Sequence, residues 1–155
     1  MTAAAAPTGV PTMLGHIALR VRNVDRAVEF YRDALGLKLH SKPGGRMAFL
    51  GSRPDASHEI ALFPLPDGAE GPDPKRVGMY HMAWEMPSFE DLQALHARLV
   101  EHKVNIVGYS DGQCNVMFTD PDGNELEAIW EPAPEVINQL KDEGRWPKLE
   151  RIAGF

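Results

Sequence analysis

Two histidines at matching places in a repeated segment are the side chains of this chain best suited to chemistry. The first segment reads GHIALRVRNVDRAVEFYRDALGLKL from Gly15, and the second reads YHMAWEMPSFEDLQALHARLVEHKV from Tyr80. His16 stands nine residues before Asp25, and His81 stands nine before Glu90. A duplicated unit can set two equivalent imidazoles face to face. Side chains alternate across a strand, so His16, Ala18 and Arg20 share one face, and His81, Ala83 and Glu85 share the equivalent one. Near the end of the second half, Glu125, Glu127 and Ile129 share a face in the same way. Two histidines and one carboxylate form the facial ligand set of non-haem Fe(II) oxygenases, and the same donors hold Mn(II), Zn(II), Ni(II) or Co(II). The competing reading, two ordinary strand histidines, is weakened by their equivalent places in the repeat.

The elements that must position these residues follow from periodicity. Residues 16–21 alternate like a strand. Asn23 or Asp25 caps the helix after it, and Val24, Ala27, Val28, Tyr31, Ala34 and Leu35 recur at helical spacing up to Gly36. Strand-like runs follow at Lys38–Ser41, Arg46–Ser52 and His58–Pro64, the first two parted by Pro43-Gly44-Gly45. The second half repeats the order: a strand at Tyr80–Met86, a capping box from Ser88 to Asp91, and a helix stripe of Leu92, Leu95, Leu99 and Val100. Strands then come at Val104–Gly108, Asn115–Thr119 and Glu125–Glu131, the last two joined through the DPDGN turn. The order is βαβββ twice, which makes the fold class α+β. The proline- and glycine-rich residues 65–78 link modules 14–64 and 79–131. Residues 1–13 read as a flexible tail, and residues 132–155 as a helical extension with a helix at Pro134–Glu143.

Composition excludes several classes. The chain has 155 residues, one domain's worth, and a net charge of −6 with scattered basic residues, which argues against a nucleic-acid surface. No apolar run approaches the roughly 20 residues that span a bilayer. The opening residues lack a secretory pattern. The single cysteine, Cys114, fits a reducing cytoplasm and reads as a small buried side chain rather than a nucleophile. His40, His96 and His102 read as solvated or capping residues, and Phe49, Phe63, Trp84, Phe118 and Trp130 as core.

Three stretches, GHIALRVRNVDRAVEFYRDALGL, YHMAWEM and FTDPDGNELE, resemble the vicinal oxygen chelate superfamily. That group contains glyoxalase I, methylmalonyl-CoA epimerase, bleomycin and fosfomycin resistance proteins, and type I extradiol ring-cleaving dioxygenases. The resemblance spans roughly residues 14–131. It implies two βαβββ modules forming a cupped eight-stranded mixed sheet around a divalent metal. Extradiol enzymes take one histidine from the opening strand of each half and a glutamate late in the second half, and His16, His81 and Glu127 fall on those places. The SHEIALF run resembles the dioxygenase segment in which a histidine assists beside the metal, which implies an acid–base or oxygen-stabilising role for His58. Glyoxalases and the epimerase usually add a fourth ligand from the same strand, for which His58 and Glu59 are the candidates. One departure stands out. The stretch YSDGQCNVMFTD lacks the histidine that extradiol enzymes commonly carry, and Met117 stands about where they have a tyrosine. Tyr109 and Tyr80 are the nearest phenols.

The resemblance thus implies an extradiol dioxygenase acting on a catechol-type diol with O2 and Fe(II), and a homodimer, as is common in the superfamily. The alternatives are a glyoxalase- or epimerase-type lyase or isomerase, and a metal-free drug-binding protein of the same fold.

Overall fold

The computed structural model describes residues 8–66, 68–110 and 114–149. Strand β1 (Ile17–Val21) leads into helix α1 (Val24–Glu29), whose first turn is capped by the Asn23 side chain accepting from the Arg26 N–H at 3.0 Å. The helical run continues as a wider π turn over Phe30–Ala34, in which Leu35 N–H donates to the Phe30 carbonyl at 3.0 Å. Strands β2 (Lys38–Ser41), β3 (Ala48–Gly51) and β4 (Ile60–Pro64) complete the first module. The second module repeats this with β5 (His81–Glu85), α2 (Phe89–Glu101), β6 (Ile106–Gly108), β7 (Cys114–Thr119) and β8 (Glu125–Trp130). Helix α3 (Pro134–Asp142) follows.

The eight strands form two four-stranded mixed sheets, ordered β1-β4-β3-β2 and β5-β8-β7-β6. In each sheet the first and last strands of the module pair in parallel and the others antiparallel. That parallel pairing is what a helical crossover permits and a tight hairpin does not. The duplication seen in the residues is therefore repeated in the topology.

The core lies between the helices and one face of each sheet. Val24, Ala27, Val28 and Tyr31 from the first helical run, and Leu92, Leu95 and Leu99 from α2, are buried. They meet Leu19, Val21, Leu50 and Leu62 of the first sheet and Val116, Phe118, Leu126 and Ala128 of the second in one cluster. Full burial of each large aliphatic side chain contributes about 1.5–3 kcal/mol.

Polar links join the modules across this core. The Tyr31 hydroxyl donates to Asp120 Oδ2 at 3.0 Å. Arg98 of α2 donates to the Ala34 and Leu35 carbonyls at 2.9 and 3.0 Å, satisfying the end of the first helical run. Gly36, with φ +92°, makes room for it: a Cβ there would lie 2.8 Å from Arg98 Nη2.

The C-terminal extension docks on the domain. Trp146 stacks on Trp130 with ring centroids 5.6 Å apart and planes 17° from parallel, and Lys141 sits 5.2 Å over the Trp146 ring. Cys114 Sγ donates to the Pro147 carbonyl at 3.2 Å, and burial pushes its thiol pKa up, as an unreactive packed cysteine requires. Residues 1–7 of the expected tail, Asp67 of the linker and residues 150–155 lie outside the described residues. Among the described residues no helix is long and apolar enough to cross a membrane.

Candidate metal centre

The pleat decides which residues face away from the core. In β5, Met82 is buried while His81 is half-buried and Ala83 and Glu85 are exposed, so the histidine side of the strand points away from α2. In the register, His81 lies opposite Glu125, and Ala83 opposite Glu127, which in turn faces Met117 of β7. Glu127 is thus diagonal to His81 on the neighbouring strand, within reach of a long side chain. His81 Nε2 lies 3.3 Å from Glu127 Oε2. Glu127 is almost fully buried, and its second oxygen, Oε1, accepts from Asn115 Nδ2. Together with Tyr80, Val107, Tyr109, Ser110, Met117 and Glu125, the pair lines a cleft of about 480 Å³.

The other two histidines singled out in the sequence meet each other. His16 is exposed, one residue ahead of β1, and its ring lies 4.6 Å from that of His58. His58 is further boxed by Phe49 at 5.0 Å, and its Nδ1 hydrogen bonds with Ser57 Oγ at 3.1 Å. The four sequence-derived site residues therefore stand as two contacting pairs, His81 with Glu127 and His16 with His58. Among the described residues, no three His, Cys, Asp or Glu side chains gather closely enough to hold a metal ion. His16 precedes the β1–β4 ladder, so the pleat does not fix its ring, which lies tilted at 47° against that of His58.

The donor pair itself suits a divalent ion. Two ligand atoms at right angles around a metal, each at about 2.0–2.2 Å, stand about 3 Å apart. The 3.3 Å between His81 Nε2 and Glu127 Oε2 is close to that separation. A neutral imidazole and a carboxylate are also the donor types that first-row divalent metals accept.

Glu59, one of the two candidates for a fourth ligand, is engaged elsewhere. Its Oε2 accepts from Ser52 N and Oγ at 2.6 and 2.7 Å and from Arg53 N at 3.2 Å, while Oε1 accepts from Arg53 Nε at 3.1 Å. Partial burial alone would raise its pKa, but the bonds from Ser52 and Arg53 and the Arg53 charge outweigh it and hold the carboxyl below its ordinary value. The side chain acts as a clasp for the loop before β4.

Several expectations need correcting. Phe49 and Phe63 are not core. Phe49 alternates with the buried Ala48 and Leu50, so its ring turns to the His58 side, where Phe63 meets it edge-on at 6.3 Å. His96 is not solvated. It is buried on the core stripe of α2, where desolvation lowers its pKa, and its Nε2 hydrogen bonds with the Tyr109 hydroxyl at 2.8 Å. Asn115 is a site residue that the strand pattern alone does not single out. The signal was an asparagine inside the apolar run Cys114–Phe118, a residue type that strands disfavour unless its amide has partners.

A family model described as the Glyoxalase/Bleomycin resistance protein/Dioxygenase superfamily matches residues 13–128. The chain belongs to this superfamily. Among curated relatives, this superfamily member is 28% identical over 138 residues to a catechol-2,3-dioxygenase of Bacillus subtilis, covering 87% of this chain and 47% of the relative. It is 30% identical over 83 residues to metapyrocatechase 2 of Cupriavidus necator, covering 54% of this chain and 23% of the relative. The matches thus span about half the length of the first relative and less of the second. Among solved structures, a glyoxalase/dioxygenase from Nostoc punctiforme superposes with a TM-score of 0.67 at 24% identity, covering 86% of this chain and all of that one. That likeness establishes the glyoxalase-like fold.

Proposed function

We propose that this superfamily member is an extradiol ring-cleaving dioxygenase that acts on a catechol-type aromatic diol with O2. In this reading His81 and Glu127 supply two metal ligands, His16 supplies the third, and Fe(II) is the favoured ion. The observation that carries the reading is the His81–Glu127 donor pair at 3.3 Å, on the strand face that corresponds to the place of His16 in the first module. The likeness to catechol-cleaving relatives in sequence supports it. The engagement of Glu59 with Ser52 and Arg53 weighs against that carboxylate as the fourth ligand of a lyase or isomerase site.

A bound divalent metal would supply Lewis acidity that lowers the pKa of diol hydroxyls, as it does for bound water. The chain's own residues supply the rest. Ser57 fixes His58 at Nδ1 and leaves Nε2 for exchange of a diol proton. Phe49 and Phe63 offer flat apolar surface beside His58 on which an aromatic ring can rest.

Protein purified anaerobically and loaded with Fe(II) is expected to turn catechols yellow on admission of oxygen, as the ring opens next to the hydroxyls. No colour across a broad catechol panel, with iron stoichiometric, refutes the dioxygenase reading. In the same assay His58→Gln is expected to lower kcat by about 10²–10⁴-fold, the range of one general acid–base group, with metal content unchanged. An undiminished kcat would remove His58 from the chemistry.

A further inference from the structure

The Asn115 side chain is 1% exposed, and both of its N–H donors and its carbonyl oxygen are engaged. Its Nδ2 donates to Glu127 Oε1 and, at 3.0 Å, to Ser110 Oγ, and its Oδ1 accepts from the Ser110 N–H at 2.8 Å. In the β7–β8 register Asn115 lies opposite Ile129, so Glu127 is its diagonal neighbour on one side and His81's on the other. With Oε1 held by the amide, Oε2 is left turned toward His81 Nε2.

The imidazole lacks an equivalent support. His81 Nδ1 is buried and has no hydrogen-bond partner among the described residues. A metal-ligating histidine ordinarily donates its second N–H to a group that fixes the ring. In this pair, the outer support falls on the carboxylate instead.

We infer that Asn115 is a positioning residue for the Glu127 carboxylate and ties the metal-binding donor pair to the loop at Ser110. This rests on the metal reading proposed above. The plainer role for Asn115, a clasp between β7 and the preceding loop, predicts lost stability but unchanged metal binding.

The two roles separate in a Co(II) titration of the full chain, followed by visible absorption and by the rise in Tm that the metal induces. Asn115→Leu keeps a similar volume and removes the amide. It is expected to weaken Co(II) binding about 10–100-fold, the range for lost outer supports of a ligand, and to alter the Co(II) absorption envelope. A folded Asn115→Leu variant with wild-type affinity and spectrum overturns the inference. If that variant does not fold, Ser110→Ala decides. It cuts one of the two Ser110 bonds at a part-buried site, so several-fold weaker binding supports the inference and wild-type affinity overturns it. Wild-type protein that takes up no Co(II) removes the metal reading and this inference together. Wild-type binding that is lost in Glu127→Ala yet intact in Asn115→Leu removes the role of Asn115 alone.

Discussion

Glu127→Ala is expected to release most of the bound metal and abolish ring cleavage. The carboxylate is the one anionic donor in the proposed set, and its Oε2 stands 3.3 Å from His81 Nε2. Loss of an outer support costs about 10–100-fold in metal affinity, so loss of the ligand itself should cost at least about 100-fold. Elemental analysis after gel filtration reads this directly, and a variant that retains stoichiometric metal would take Glu127 out of the ligand set. Glu127→Gln separates charge from shape. Its amide oxygen can still accept from Asn115, so it should fold like the parent while still losing the ion. Alanine has a second effect that glutamine avoids: it leaves the buried Asn115 Nδ2 without an acceptor for one of its protons, at about 1–3 kcal/mol. The metal-free alanine variant should therefore melt earlier than the metal-free glutamine variant.

The largest expected effect on stability lies outside that pair. Asp120 is 4% exposed at the start of the β7–β8 turn and accepts four hydrogen bonds. They come from the Tyr31 hydroxyl at 3.0 Å, the Asp122 N–H at 2.9 Å, the Asn124 N–H at 2.9 Å and Asn124 Nδ2 at 2.8 Å. Burial, reinforced by the Asp120 charge, raises the Tyr31 pKa well above its ordinary value, so the phenol stays protonated and donates throughout the neutral range. Asp120→Ala strips the acceptor from a fully buried hydroxyl and from two backbone donors of a tight turn. A cost of about 3–5 kcal/mol is expected, the range for breaking a buried charged network. For a chain of this size that corresponds to a Tm lower by roughly 6–20 °C. Tyr31→Phe removes only one donor and should cost about 1 kcal/mol. Thermal melts showing the two variants equally destabilised would mean that the turn, and not the inter-module link, is indifferent to Asp120.

Much of this architecture was legible in the residues because its elements are periodic and punctuated. The matching histidines, the Ser88–Asp91 capping box and the DPDGN turn each declare a local structure without help from distant parts of the chain. His96 shows a signal present but misjudged. It stands four residues after Leu92 and three before Leu99, on the buried stripe of α2, and only its polar character argued for solvent. The apolar spacing over Phe30–Ala34 is that of ordinary helix, because a widened turn keeps nearly the same periodicity. The division of the strands into two sheets, rather than one continuous ladder, depends on how the module edges meet, which no local pattern encodes. The site was legible as residue types but not as pairs. Strand parity placed Glu125 and Glu127 on one face alike. Only the cross-strand register, with Asn115 diagonal to Glu127, distinguishes the carboxylate that is buried and held from its neighbour at the turn.

The stacking of Trp146 on Trp130 makes the docked C-terminal segment observable by light. The chain has three tryptophans, and two of them form this near-parallel pair, with an ammonium group above one ring. Coupled indoles contribute a paired exciton band to the far-ultraviolet circular dichroism that separated indoles lose. Trp130 ends the strand that carries Glu127, so the same band reports from the far end of the site's own strand.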